Sequence, residues 1–235
     1  MLAVSDFPPI STVILGDDQA DLAPGVDVEV ETLWQAERQR RDVFNGRILS
    51  AVEITPNRLL GRVVEYRRFV AQQANPALFD VLRVRPVGVS GVLHCADGLV
   101  FGRRAAGLTQ GAGLWELVPS GSLDVPPGAR QGAQIDYRAQ ILAELSQEIG
   151  ISADGVSSMT PYCLVEDTES HVLDIGIALA SALSAAEVLR LHKKAETREY
   201  EELRIVPLAE AAQFARRPGP RLLAVSGALL ERLPR

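Results

Sequence analysis

The sequence predicts an α/β or α+β fold built around a mixed central sheet. Apolar, β-branched runs recur along its whole length, and segments with helical spacing fall between them. The two types do not alternate in the regular manner of a doubly wound sheet. With 235 residues the chain has room for one large domain, or for a domain with an N-terminal addition. Composition shifts at Arg85-Pro86, so residues 1–84 are expected to be an N-terminal α/β extension and residues 85–235 the main domain.

The elements follow in order. STVILG is β-branched and apolar, GDDQADLAPG has turn chemistry, and VDVEVE alternates with period two, so residues 11–31 read as strand, turn and strand. A polar helix is expected from Glu31 to about Phe44, stopped by Asn45-Gly46. RILSAVEI and RLLGRVVEY flank Thr55-Pro56-Asn57 as a hairpin, and residues 66–84 read as helix broken at Asn75-Pro76. VGVSGVLHC and LVFGRR surround the Asp97-Gly98 turn. GLWELV is a strand closed by Pro119-Ser120-Gly121, and residues 122–133 are a loop rich in Pro and Gly. Ile135 to Ile149 has the strongest helical pattern in the chain, with Gly150 at its C′ position. Strands are then expected near YCLVE, HVLDIGIALA and ELRIVPL, with a helix near Ala185 to Lys194 and two closing helices.

Composition narrows the function. An apolar fraction of 47% and a charged fraction of 23% are ordinary for a globular protein. No window approaches the ~20 apolar residues of a membrane helix and the first residues lack the basic start of a secretory signal, so a cytoplasmic location with no membrane partner is expected. A formal net charge of -6 argues against a general nucleic-acid footprint. Cys95 and Cys163 are too few for a disulfide framework and read as buried thiols.

The helix IDYRAQILAELSQEIG carries the candidate chemistry. Ile141, Leu142, Leu145 and Ile149 form its apolar stripe, and Glu144 and Glu148 lie outside it, one turn apart on a common face. Like charges at this spacing repel, and a divalent cation would reverse the sign. Mg²⁺ favours hard oxygen ligands and binds through one or two carboxylates, water and substrate phosphates. A solvated acidic face is the alternative for the same pair.

The order of features around this helix resembles the Nudix hydrolase family. GLWELVPSGSLD, with Pro119, Ser120 and Gly121, stands for the strand and its Pro-Gly-Gly turn. AELSQEIGI, residues 143–151, stands for the family's helix, and VGVSGVLHCADGLVFGRRAAG is similar to its opening hairpin. The resemblance covers roughly residues 85–210, with departures: Ala143 replaces the motif arginine, Gln147 replaces one helix acid, and the loop after Gly121 is longer. The missing arginine leaves the role of Asp124 or Asp136 open, since in the family it holds the upstream acid.

This resemblance implies a Mg²⁺- or Mn²⁺-dependent enzyme that splits a nucleoside diphosphate linked to another moiety, with Glu144 and Glu148 on the metal. A third carboxylate is expected before the ELRIVPL strand, at Glu199, with Glu201 and Glu202 as competitors and a solvated acidic turn as the alternative. The general base is one of Glu144, Glu148 and Glu199. Arg103 and Arg104, together with Gly121, are candidates for the diphosphate, the arginines being equally readable as a surface pair. His171 could approach a phosphate, whereas a lone His near a strand end is more often structural; His94 and His192 have no partners at metal-ligand spacing. Trp115 reads as core. The N-terminal segment and the lost arginine resemble a branch that hydrolyses UDP-sugars, which makes UDP-sugar cleavage to UMP and sugar 1-phosphate the expected reaction, and the extension either a wall of the substrate pocket or a completion of the sheet. ADP-ribose or another nucleotide as substrate, and a non-catalytic nucleotide-binding module, are the alternatives. The expected partner is a small nucleotide, with a homodimer left open.

Overall fold

The computed structural model describes residues 10–17, 21–41, 43–108, 111–216 and 221–234. Within them the fold is mixed α+β, with two mixed sheets and seven α-helices. Among these residues no helix is long and apolar enough to cross a membrane.

The first sheet has the order β2-β3-β1-β8, formed by β1 (Thr12–Leu15), β2 (Arg47–Thr55), β3 (Arg58–Glu65) and β8 (Gln134–Ile135). β2 and β3 are the expected hairpin, whose turn residue Asn57 has a φ of 67°. β1 lies parallel to β3 and antiparallel to β8, so a strand from the second half of the sequence completes the N-terminal sheet. Ile10, Val13, Leu49 and Leu59 share one buried cluster with Val87, Val89, Ile141 and Ile175, which joins the two halves in a common core.

α1 spans Pro24–Arg40 and corrects the reading of VDVEVE as a strand. Alternation and helical spacing coexist there, because Val26 and Val30 are four residues apart and Trp34 follows at the same interval. Val30 and Trp34 are buried while Val28 is 67% exposed, the outcome of a one-sided helix. Pro24 in the first turn suits a helix start and not a strand interior. α2 (Tyr66–Ala74) and the short α3 (Phe79–Leu82) are separated at Asn75-Pro76 as expected.

The second sheet has seven strands: β4 (Val87–Cys95), β5 (Gly98–Arg104), β6 (Trp115–Leu117), β7 (Ser120–Ser122), β9 (Ser158–Glu166), β10 (Leu173–Ala180) and β11 (Tyr200–Val206). Its spine runs β11-β5-β4-β10-β9, with β10 parallel to β4 and β9 antiparallel to β10. β4 and β5 pair only near their turn, at His94–Leu99 and Cys95–Gly98. Beyond that point they separate, and β6 pairs with β5 while β7 pairs with β4. The Pro119-Ser120-Gly121 segment therefore enters a second short strand instead of ending in a turn.

α4 (Tyr137–Glu144) continues as a π-helical turn over Leu145–Ile149. Ile135, expected to open this helix, belongs to β8; Asp136 caps the helix, its carboxylate accepting from the N–H groups of Arg138 and Ala139. Gly150 closes it with a φ of 79°. Ile141, Leu145 and Ile149 pack beneath the sheet, while α6 (Leu208–Arg216) and α7 (Ala224–Arg232) cover the other face through Phe214 and Leu229. Between β10 and β11, α5 (Ala185–His192) starts with a capping box of Ser184 and Glu187.

Candidate functional site

The separation of β4 from β5 leaves room for acids at the heart of the molecule. Glu148 projects from the π-helical turn, a helical variant frequent at functional sites. Its side chain is 2% exposed. Its Oε2 accepts from the Ser120 N–H at 3.2 Å and from the Tyr200 hydroxyl at 3.3 Å. Its other oxygen, Oε1, is buried without a hydrogen-bond partner. Burial, followed by the charges of Glu199 and Glu144, holds the Glu148 carboxyl far above the usual carboxylate range.

Glu144 lies one turn earlier and accepts from Gln140 Nε2 at 2.8 Å. Burial also pushes its carboxyl up, with the charges of Glu199 and Asp124 adding to the effect. Gly121 explains how it fits: a Cβ at that position would fall on the Glu144 carboxylate. The absence of a side chain there lets the acid lie against the 120–122 strand.

Glu199 arrives from the segment leading into β11. Thr197 donates to the Gln147 carbonyl through its N–H at 3.2 Å and its hydroxyl at 3.3 Å, and the Glu199 carbonyl accepts from the Ala105 N–H at 2.8 Å. The helix bearing Glu148 and the strand bearing Arg104 thus fix the position of Glu199. Glu201 and Glu202 point elsewhere, to Arg103 at 3.4 and 3.3 Å. Of the three acids, Glu199 lines the cavity with Glu144, and Glu201 and Glu202 do not.

The two arginines separate. Arg103 makes the surface pairs just described and does not line the cavity, an arrangement that matches the surface-pair alternative for this residue. Adjacent strand residues face opposite sides of a sheet, so a consecutive pair cannot grip one ligand from a regular strand. Arg104 does line the cavity, but its guanidinium is engaged by Glu116 at 2.5 Å and Glu199 at 3.0 Å. Glu116 is buried at 3% exposure, a site residue that the sequence reading passed over. The available signal was a charge inside the otherwise apolar strand GLWELV.

Arg104, Glu116, Glu144 and Glu199 border a cavity of ≈ 650 Å³, whereas Glu148 is not part of its lining. Ser120, Gly121, Glu116, Glu144 and Glu199 lie on one part of its wall, and Ile48, Tyr66 and Phe69 of the N-terminal segment on another. Asp174 and Ser90 also reach it, and were likewise not singled out from sequence. Ala143 and Gln147, where the resemblance expected an arginine and an acid, are exposed and outside the lining. His171 stacks on Phe79 with ring centroids 3.6 Å apart, a packing role away from the acids. Trp115 is core against Phe214, and Cys95 and Cys163 are buried free thiols.

The donor set fits a divalent cation with oxygen ligands. Glu148 offers a buried oxygen with no hydrogen-bond donor, and Glu144 and Glu199 stand next to it, with Arg104 on the flank of Glu199. Among the described residues, no three acids, histidines or cysteines converge closely enough to enclose an ion by themselves. Such an open arrangement suits Mg²⁺, which keeps several waters and completes its shell with substrate phosphates.

Comparison with known proteins gives the fold. No family model and no curated protein matches the chain. A crystal structure of DR0079 from Deinococcus radiodurans superposes with a TM-score of 0.52 at 15% identity, over 81% of this chain and 100% of that one. Lower scores come from the NUDIX domain of Shewanella oneidensis NrtR complexed with ADP ribose (0.45, 16% identity, 68% of this chain and 93% of that one). The same is true of a C. elegans Ap4A hydrolase in a binary complex (0.37, 14% identity, 61% and 92%). At these identities the likeness speaks for the fold alone.

Proposed function

We propose that the protein is a Nudix-type hydrolase that splits a nucleoside diphosphate linked to another moiety, with Mg²⁺ or Mn²⁺ held by Glu144 and Glu148 and approached by Glu199. The observation that carries this reading is Glu148 Oε1, buried without a hydrogen-bond donor next to two more carboxylates, Glu144 and Glu199, which line a cavity large enough for a nucleotide. A purely structural acid cluster would be expected to satisfy its buried oxygens with protein donors.

When bound, the metal supplies charge neutralisation at the diphosphate and acidifies a water. The chain's own groups do the rest. The Ser120 N–H and the Tyr200 hydroxyl fix the Glu148 carboxylate, so that its free oxygen is presented without rotation. Gly121 leaves the Glu144 carboxylate at the cavity wall. Glu199, which stands on the cavity wall with a side chain 27% exposed and Arg104 at 3.0 Å, accepts the proton of the attacking water.

The preferred substrate in this reading is a UDP-sugar, cleaved to UMP and sugar 1-phosphate. Support comes from the resemblance of the N-terminal segment and from the walls that Ile48, Tyr66 and Phe69 add to the cavity, since preference among diphosphate esters must arise away from the diphosphate. The reading is tested by a screen of nucleoside diphosphate derivatives with Mg²⁺, the products being separated by chromatography. UMP and glucose 1-phosphate from UDP-glucose are expected. Faster cleavage of ADP-ribose would move the substrate to that class, and binding without cleavage of any compound would identify a nucleotide-binding module.

A further inference from the structure

The cavity has a second side that the carboxylate cluster does not occupy. Gly88 of β4 pairs with Ser122 of β7 on one side and with Asp174 of β10 on the other. At the usual strand spacing, Asp174 stands roughly 10 Å across the sheet from the 120–122 strand. Gly88, Ser90 and Asp174 share one face of the sheet and all line the cavity. Gly88 makes this possible, because a Cβ there would meet Asp174 Oδ1 at 2.8 Å.

Asp174 accepts a hydrogen bond from Ser90 Oγ at 3.0 Å. Its charged neighbour is Asp167, of the same sign, and its carboxyl is pushed up to about 6, first by burial. Nothing in the fold of β10 needs an acid at this place in the apolar run LDIGIALA. Val172, two residues earlier, packs against the cluster containing Phe69, Tyr66 and Ile48, which brings the N-terminal aromatics to the same end of the cavity. The Tyr66 and Phe69 rings lie 6.0 Å apart, centroid to centroid.

This chemistry selects a ligand. Acids at this end disfavour a further phosphate by like-charge repulsion. A carboxylate beside a hydroxyl accepts from the hydroxyl groups of a sugar ring, and aromatic and aliphatic walls cover its C–H face. The geometry points to the Asp174–Ser90 end of the cavity, walled by Tyr66 and Phe69, as the subsite for a neutral, hydroxyl-bearing ring attached to the diphosphate. This assignment rests on the diphosphate reading above and goes further by naming what recognises the attached group. The ring is either the ribose of the nucleoside or the sugar beyond the diphosphate.

The test is calorimetric titration of the full chain with Ca²⁺ in place of Mg²⁺, using inorganic pyrophosphate, UDP and UDP-glucose as probes. The wild type is compared with Asp174→Asn and with Ser90→Ala, the milder change if the first variant folds poorly. Asp174→Asn should weaken a ring-bearing probe about tenfold more than pyrophosphate, and Ser90→Ala about threefold more, as loss of a charge-assisted hydrogen bond and of a neutral one imply. A loss confined to UDP-glucose assigns the subsite to the sugar beyond the diphosphate, and an equal loss for UDP assigns it to the ribose. Affinities for both nucleotides within twofold of wild type in both variants, or losses matched by pyrophosphate, overturn the subsite. A wild type that binds UDP-glucose but does not cleave it with Mg²⁺ counts against the hydrolase reading and leaves the subsite result intact.

Discussion

Arg104 holds Glu116 at 2.5 Å and Glu199 at 3.0 Å with one guanidinium nitrogen, and thereby ties a buried strand acid to an acid of the cavity wall. Both Arg104 and Glu116 have little exposure, at 14% and 4% of their side chains. Removing the cation leaves Glu116 charged and buried, which typically costs about 3–5 kcal/mol. Arg104→Met should therefore lower stability by roughly that amount, measured by urea unfolding, and Glu116→Gln in the same chain should restore part of it. No coupling between the two substitutions would mean that the pair does not form.

Glu148→Gln should nearly abolish turnover and leave the fold intact, and Glu144→Gln should behave similarly. In metal-free protein Glu148→Gln should also raise the melting temperature, because burial, followed by the charges of Glu199 and Glu144, penalises the carboxylate relative to the unfolded chain, and the neutral amide carries no such penalty. A fall in melting temperature would show that the carboxylate is satisfied in a way the hydrogen bonds do not reveal. Gln147→Glu should change activity by less than about twofold, since its exposed side chain faces away from the cavity.

Glu199→Gln should reduce kcat by at least about tenfold, and Glu201→Gln or Glu202→Gln by less than about twofold. Glu201 and Glu202 meet Arg103 on the surface, whereas Glu199 stands on the cavity wall. Equal, small effects at all three positions would return this segment to a solvated acidic turn.

Gly121→Ala should depress activity much more than stability. The added methyl would meet the mobile end of the Glu144 side chain and displace it. Wild-type kcat in a folded Gly121→Ala protein would remove Glu144 from the metal site.

Asp174 gives a pH signature. Its carboxyl is raised from 3.8 to about 6 in the folded state, so the native protein binds the proton more tightly than the unfolded chain. Stability from this group is full below about pH 4, falls as pH rises through about 6, and is lost above it. Asp174→Asn should flatten that segment of the stability curve, gaining roughly 2–3 kcal/mol relative to wild type between pH 4 and pH 8. An unchanged slope would show that Asp174 is not buried as a carboxylate.

Much of this arrangement was legible in the sequence. The Asn57 turn, the break at Asn75-Pro76, the Asp97-Gly98 hairpin and the helix ending at Gly150 all follow from local chemistry that tertiary contacts do not override. The same local pattern carried Glu144 and Glu148. VDVEVE misled because two periodicities fit the same six residues, and only burial of Val30 and Trp34 selects between them. β8 is two residues long and gains its identity from β1, more than a hundred positions earlier. Glu116, Asp174 and the engagement of Arg104 were hidden for a related reason: each depends on partners brought together by strand pairing, and a single acid in an apolar strand announces burial without naming its partner.

Metal-dependent cleavage by Glu148 is tested by hydrolysis of UDP-glucose by the full chain with Mg²⁺, with EDTA, and by Glu148→Gln with Mg²⁺. UMP and glucose 1-phosphate are expected in the first case and at most about a hundredth of that rate in the other two, the scale set by losing a metal ligand and its electrostatic contribution. Equal rates in all three, or no turnover of any nucleoside diphosphate derivative by the wild type, would contradict it.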